Sequence, residues 1–220
     1  MAPQSISDKT SRRGRVYRSE LRQQQAEQTR SRVVAAAAEL FGELGYARTT
    51  LAKIADAAGV SPETVQGHGP KAGLMIAAIE YAAFGVADEE DVFKLEVGRR
   101  FLALPDRDAA LDYLAAAQTE AHERTARLGR ALFGGAGADP ELDRYLADFI
   151  AGIDTQMRRV LGVCRDRGWL REDLDFDEIV ETGGVICSVE TYLRIAHRDG
   201  WTAPRYRKWL RRMLAETVFR

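Results

Sequence analysis

A chain of 220 residues is long enough to bury a hydrophobic core without help from disulfides or metal ions. Its 45% hydrophobic and 30% charged residues exclude collagen-like, wholly disordered and disulfide-scaffold proteins. The apolar stretches are too short or too interrupted to span a membrane, and the polar start carries no signal segment, so we expect a cytoplasmic protein. Cys164 and Cys187 lack CxxC spacing and are expected to be buried free thiols.

The formal net charge of −1 averages two unlike parts of the chain. Up to Leu74 there are eleven Lys and Arg residues against seven Asp and Glu, which leaves the remainder acidic. The basic residues concentrate between Arg12 and Arg32. This asymmetry is typical of a nucleic-acid-binding end on an acidic body, although a solvated tail has the same pattern.

The N-terminal part of the chain predicts a flexible arm followed by a helix. Residues 1–18 are basic and almost without apolar side chains, so we expect them to be a flexible basic arm. Over residues 19–44, apolar residues such as Val33 and Phe41 recur at steps of three and four, which indicates a helix with one buried face. Gly45 provides its C-terminal stop.

Two short helices with a tight turn follow. Residues 51–58 predict a helix capped by Thr50, and Ser61 with Pro62 predicts the start of the next. The spacing of Ala55, Gly59 and Val65 is that of a helix-turn-helix. A helix-turn-helix needs a small residue where the two helices cross, a glycine at the turn, and an apolar residue that anchors the second helix from beneath. The outer side chains of the second helix can then enter a major groove.

Beyond Lys71 the apolar spacing is helical throughout, and no strand signal appears. Gly, Pro and Asp clusters divide this body into helices. The predicted helices cover residues 71–88, 92–103, 106–133, 139–167, 175–198 and 204–219. We therefore expect an all-α protein.

A longer set of residues around the turn resembles the TetR family of bacterial transcriptional regulators. The matching positions are residues 29–41, 45–46, 49–50, 54–55, 58–61 and 64–65, with Lys71 and Leu74. The resemblance implies a three-helix helix-turn-helix DNA-binding domain over residues 19–74. It also implies a larger helical ligand-binding and dimerisation domain over residues 75–220.

Residues 66–70 depart from the family pattern. After Val65 the family usually has Tyr and, shortly after it, Phe, whereas this chain reads Gln-Gly-His-Gly-Pro and is one residue shorter. Two interpretations remain open. Either Gln66 and His68 replace the missing contacts, since Gln can bond adenine bidentately and His can reach guanine or phosphate, or the helix frays at Gly67 and neither reads a base.

Geometry and resemblance together predict the DNA-contacting residues. The recognition helix and its end present Pro62, Glu63, Thr64, Gln66 and His68. Thr49, Thr50, Lys53 and Lys71 flank it where phosphates should lie. Arg12, Arg13, Arg15 and Arg18 of the arm are expected along the adjacent minor groove or backbone.

The body is expected to supply a homodimer interface and an effector site. One half-site gives too little contact to find an operator, so two copies are expected on a palindromic double-stranded operator. The predicted interface comprises Ile179, Ile186, Val189, Leu193, Tyr206, Trp209, Leu210 and Met213. The predicted pocket for an unidentified, largely apolar small molecule comprises Phe84, Phe101, Tyr113, His122, Phe133, Phe149 and Tyr192. Taken singly, each pocket residue is more often ordinary core than a ligand contact, and intramolecular core is the alternative for the interface residues.

Catalysis is not expected. His68, His122 and His197 lack metal-ligand spacing, and neither a Glu-x-x-His pair nor a phosphate-binding glycine loop is present, so we predict no metal and no cofactor. The resemblance favours a ligand-released repressor. The alternatives are an activator, and a TetR-like protein that has lost sequence readout and acts through protein or ligand contacts.

Overall fold

A computed structural model describes the backbone of residues 8–87, 89 and 91–220 and the side chains of residues 22–87, 89 and 91–220. The regular secondary structure of these residues is helical, as predicted, with one isolated antiparallel bridge between Leu170 and Phe219. The helices are α1 (Asp8–Leu44), α2 (Leu51–Ala58), α3 (Pro62–Gly67), α4 (Lys71–Phe84), α5 (Glu96–Leu102), α6 (Arg107–Ala136), α7 (Pro140–Asp166), α8 (Phe176–Ile186), α9 (Val189–Tyr192) and α10 (Ala203–Thr217). None of the described helices combines the length and the apolar composition that a membrane span requires.

Helix α1 begins earlier than the sequence pattern predicts. It starts at Asp8, so the backbone of residues 8–18, which we expected to belong to a flexible arm, is helical. The stretch contains no proline, and its lysine and four arginines are good helix formers, whereas Gly14 opposes the helix. The side chains of Arg12, Arg13, Arg15 and Arg18 lie outside the described residues, and their DNA contacts stay predictions.

Local signals correct three further helix boundaries. Helix α4 ends at Phe84, short of the predicted residue 88, because Gly85 takes a φ of 77°. Helix α6 continues through Gly134 to Ala136. The helix predicted over residues 175–198 is broken after Ile186, where Ser188 is extended and its hydroxyl accepts a hydrogen bond from the Thr191 amide at 3.1 Å.

The buried residues form two clusters. The first joins side chains of α1 to α4, such as Phe41 and Met75, to Leu132 of α6 and Leu142 of α7. The second lies among α5 to α10 and includes Phe101 and Tyr206. Residues before and after Leu74 thus share one core, which fixes the first three helices against the α6–α7 end of the body.

Three residues predicted at the dimer interface are part of the second cluster. Ile179, Tyr206 and Leu210 are at most 2% exposed within a single protomer, so their assignment to a dimer contact is wrong. The apolar stripes of α8 and α10 are used to pack against α6 and α7. The remaining predicted interface residues are only half-buried: Ile186, Val189, Leu193, Trp209 and Met213.

Candidate nucleic-acid interface

The α2–α3 turn has the geometry that its sequence requires. Gly59 adopts a φ of 65°, which a side chain would oppose, and its amide bonds the Asp56 carbonyl at 3.2 Å. The Val60 amide bonds the Ala55 carbonyl at 3.0 Å. Ala55 is buried where the helices meet, and Val65 is fully buried beneath α3. The predicted roles of all three motif residues are confirmed.

Helix α3 presents a polar outer face above that anchor. Pro62, Glu63 and Gln66 are exposed, and Thr64 is half-buried. The Ser61 hydroxyl accepts from the Thr64 amide at 3.2 Å, which holds the first turn. Backbone and Ser61 hydrogen bonds lower the pKa of Glu63, so its carboxylate is ionised near neutral pH. An ionised carboxylate accepts a hydrogen bond from the cytosine amino group and repels a phosphate.

The shortened segment after Val65 is ordered by backbone contacts. Helix α3 ends at Gly67, and the His68 amide bonds the Val65 carbonyl at 3.0 Å. Arg30 of α1 donates to the His68 carbonyl at 3.3 Å. Burial, and then the Arg30 charge, lower the pKa of His68, which therefore favours the neutral ring. Gln66 remains on the exposed face of the last turn, while the half-buried His68 lies beyond the helix end.

Two flanking residues are exposed at the start of α2. The Thr50 hydroxyl accepts from the Lys53 amide at 3.2 Å and so caps the helix, as predicted. The Lys53 ammonium donates to the Arg48 carbonyl at 2.9 Å. That contact leaves the other ammonium hydrogens of an exposed side chain able to bond a phosphate.

Thr49 does not flank the interface in the predicted way. Its side chain is fully buried, and its hydroxyl lies 2.9 Å from the Gly45 carbonyl and 3.1 Å from the Leu40 carbonyl. The assignment of this side chain to a phosphate is therefore wrong. Thr49 instead closes the turn that connects α1 to α2, satisfying carbonyl groups at the end of α1.

Replacing Thr49 with valine is expected to lower the free energy of unfolding by about 1 to 2 kcal/mol, because the buried carbonyls lose a donor. Urea unfolding followed by circular dichroism measures the change. Thr155→Val is the matched control: its hydroxyl bonds the Ala151 carbonyl at 2.9 Å on an exposed surface, and a change within about 0.5 kcal/mol is expected. Equal stability of the two variants would contradict the buried role.

Lys71 lies at the start of α4, on the body side of the turn. Its ammonium nitrogen is 3.9 Å from the centre of the Tyr46 ring, a cation–π contact. Burial lowers the pKa of Lys71, and the Asp139 charge partly opposes that shift. The side chain is half-buried, so the Tyr46 ring holds a cation at the start of α4.

Comparison with known proteins agrees with this geometry. Residues 33–68 match the family model described as bacterial regulatory proteins, tetR family. The N-terminal helices form a TetR-family helix-turn-helix domain. The matched segment runs from the buried Val33 through the α2–α3 turn to His68, which lies within the segment 66–70 that departs from the family pattern.

Solved structures extend the likeness to most of the chain. A TetR-family transcriptional regulator of Syntrophomonas wolfei is 14% identical with a TM-score of 0.69, and the match covers 87% of this chain and 95% of that one. A Saccharomonospora viridis transcriptional regulator, in complex with choline, is 15% identical with a TM-score of 0.63, covering 88% and 99%. FadR of Bacillus subtilis, in complex with stearoyl-CoA, is 14% identical with a TM-score of 0.65, covering 85% and 98%. No curated protein sequence matches this chain.

The predicted fold class is confirmed by these matches and by the helices themselves. The chain is all-α, with a TetR-family helix-turn-helix domain at the N-terminal end and a larger helical body. It has the fold of a DNA-binding transcriptional regulator.

The structure brings together only part of the predicted effector site. His122 and Tyr192 are neighbours, with ring centres 5.1 Å apart, and both are buried. Tyr206 joins them, its hydroxyl 3.3 Å from Nδ1 of His122. Gln118 lies one helical turn before His122, with its amide nitrogen 2.9 Å from Nε2 and 2.9 Å from the Cys187 carbonyl. We call His122, Tyr192, Tyr206 and Gln118 the His122 cluster.

Phe101 and Tyr113 belong to the same core cluster as Tyr192, whereas the other predicted pocket residues except His122 lie elsewhere. Phe84 is 48% exposed at the end of α4, and Phe101 is buried in the second core cluster. The Tyr113 hydroxyl donates to the Val97 carbonyl at 2.9 Å. Phe133 is half-buried in α6, and Phe149 packs against the first core cluster. The i, i+4 spacing of Gln118 and His122 was the sequence signal that could have identified Gln118.

Proposed function

We propose that this chain represses transcription by binding a palindromic operator as a homodimer, and that a small, largely apolar molecule releases it. The observation that carries the proposal is the outer face of α3. Pro62, Glu63 and Gln66 are exposed on a helix that the buried Val65 anchors. This is the arrangement with which a recognition helix enters a major groove.

The roles at the interface follow from exposure and charge. Gln66 is proposed to bond adenine and Glu63 the amino group of cytosine, with Thr64 and Pro62 beside them at the start of the helix. Thr50, Lys53 and Lys71 are proposed to hold phosphates on either side. His68, half-buried beyond the helix end, is proposed to support this segment in place of reading a base.

A second copy is proposed because one recognition helix reads only one half-site. The side chains that support a contact between copies lie on α7 and α8, where Ile150, Ile153 and Val185 are 39%, 44% and 69% exposed. Exposed apolar residues on neighbouring helices are typical of surfaces that a partner covers. None of the interface residues predicted from the sequence lies on α7.

The effector is proposed to act on the His122 cluster. A relative with this fold holds stearoyl-CoA and another holds choline, so bodies of this kind accommodate organic ligands. Burial lowers the pKa of His122 to about 4, so the ring is neutral, and an effector would replace one of the hydrogen bonds that its nitrogens make with Gln118 and Tyr206. Release by about a hundredfold needs a preference of about 3 kcal/mol for the non-binding state.

Selection of bound duplexes from a random DNA pool by the full-length protein, at near-physiological salt, tests the proposal. We expect a palindrome whose half-sites lie about one helical turn, roughly 10 base pairs, apart. Retention without enrichment that vanishes as salt rises would favour the alternative in which sequence readout is lost. Transcript levels after deletion of the gene then separate a repressor from an activator.

Replacing Gln66 with alanine is expected to weaken binding to the selected duplex by about tenfold and to relax its preference at one base pair per half-site. A bidentate contact with adenine is worth about 1–3 kcal/mol of discrimination. Binding to a mixed-sequence duplex is the internal control and should not change, since no phosphate contact is lost. An unaltered base preference would show that α3 frays before Gln66.

A further inference from the structure

Tyr46 lies where the TetR-family domain meets the body. Its ring stacks on Phe41 of α1, with centres 5.7 Å apart and planes inclined by 18°. The Lys71 ammonium lies over the ring at 3.9 Å. Tyr46 is 5% exposed and belongs to the first core cluster. Helix α1, the start of α4 and the ring between them therefore form one packed unit.

Gly135, in the last turn of α6, provides the surface against which Tyr46 packs. A Cβ at this position would lie 3.0 Å from Cβ and 3.1 Å from Cδ1 of Tyr46, and 2.9 Å from Cδ2 of Leu142. Glycine in a helix costs about 1 kcal/mol relative to alanine, so the local preference opposes it. The close approach of Tyr46 explains why a glycine fits here. The preceding residue, Gly134, has open space around its Cβ position.

Asp139 links the same ring to the start of α7. One of its carboxylate oxygens accepts from the Glu141 amide at 3.0 Å and the Leu142 amide at 3.1 Å, which caps the helix. Burial, and then the nearby charge of Asp139, raise the pKa of Tyr46. Tyr46 thus packs against Gly135 and lies close to the Asp139 carboxylate.

We propose that Gly135 and Tyr46 are positioning residues that hold the Lys71 ammonium at the DNA interface. A lysine has a flexible four-carbon stem, and fixing it costs conformational entropy when it bonds a phosphate. The contact with the Tyr46 ring restricts the Lys71 side chain in the DNA-free protein, so less entropy is lost on binding. The turn between α6 and α7, far along the chain from α3, is then part of the DNA-binding machinery. The inference rests on the proposed function, since it assigns a phosphate to Lys71.

The test compares Gly135→Ala with Gly134→Ala in the full-length protein. The two variants add the same methyl group to neighbouring positions of α6, and only the first displaces Tyr46. We expect Gly135→Ala to bind the selected duplex about tenfold more weakly than Gly134→Ala, measured by fluorescence anisotropy. The slope of log K against log salt should also fall by about 1, as for the loss of one phosphate contact.

A double-mutant cycle with Lys71→Ala shows whether the effect passes through Lys71. In that background Gly135→Ala should cause no further loss, whereas a general structural defect would add to it. Should Gly135→Ala fail to fold, Asp139→Ser provides the same measurement, because serine retains a cap for α7 and removes the carboxylate beside Tyr46. A threefold or greater loss is expected there.

The outcomes separate the two proposals. If the wild-type protein binds no duplex, the proposed function fails and the positioning role fails with it. If wild type binds and Gly135→Ala equals Gly134→Ala in affinity and salt slope, only the positioning role is overturned. Additive effects in the Lys71→Ala background overturn it as well.

Discussion

Replacing Gly98 with alanine is expected to lower the free energy of unfolding by about 3 kcal/mol. Gly98 is buried in α5, where the chain crosses the short 3₁₀ turn Val92–Lys94. A Cβ at this position would overlap the Val92 carbonyl oxygen and would lie 2.7 Å from the Val92 carbonyl carbon and 2.8 Å from Cα of Phe93. These are backbone atoms, which cannot rotate away, so the two segments must separate.

Urea unfolding compares this variant with Gly152→Ala. Gly152 is an exposed position of α7 with nothing near its Cβ, and alanine there should stabilise the protein by up to about 1 kcal/mol. If Gly98→Ala unfolds at the same urea concentration as Gly152→Ala, the close crossing of α5 and the 3₁₀ turn is wrong. The Tyr113 hydroxyl bonds the carbonyl of Val97, so a displaced α5 also disturbs α6.

His122 is expected to make the protein less stable by about 3 kcal/mol at pH 4 than at pH 7. Burial lowers its pKa from 6.5 to about 4 in the folded chain. Between these values the unfolded chain binds a proton at this residue and the folded chain does not, so acid favours unfolding. Above about pH 6.5 the ring is neutral in both states, and the contribution to the pH dependence disappears.

The measurement is the free energy of unfolding at several pH values between 4 and 7, for wild type and for His122→Gln. Other groups titrate in both proteins, so the difference between the two curves isolates His122. Glutamine retains an amide near Gln118 and cannot gain a proton in this range. We expect the variant to lose less stability on acidification by about 3 kcal/mol, and parallel curves would show that His122 does not titrate as described.

The helix-turn-helix could be predicted from sequence because its determinants are local. Thr50 and Ser61 each cap a helix through an amide three residues ahead, and Gly59 needs only its own φ of 65°. The helical period of the body and most of its glycine and proline breaks are local as well. Such interactions join residues that are close in the sequence, so a short stretch of sequence is enough to predict them.

The residues whose roles were wrongly predicted make contacts between segments that are distant in the sequence. The apolar faces of α8 and α10 are equally suited to a partner and to the protomer's own core, and only packing decides that Ile179, Tyr206 and Leu210 face inward. The sequence around Thr49 predicts a surface threonine, whereas in the folded chain its hydroxyl contacts the Leu40 carbonyl. The His122 cluster combines residues from α6, α9 and α10, an arrangement that periodicity does not encode.

The order of the amino acids was enough to predict an all-α protein with a helix-turn-helix near its N-terminus and to identify the side chains on the outer face of α3. Capping, glycine geometry and helical period are properties of short segments, and they suffice for these conclusions. The packing of Gly135 against Tyr46, and of the Tyr46 ring against the Lys71 ammonium, is visible only in the folded chain. Tyr46 and Gly135, which are 89 positions apart in the sequence, meet there through the close packing of one shared core, which no local pattern records.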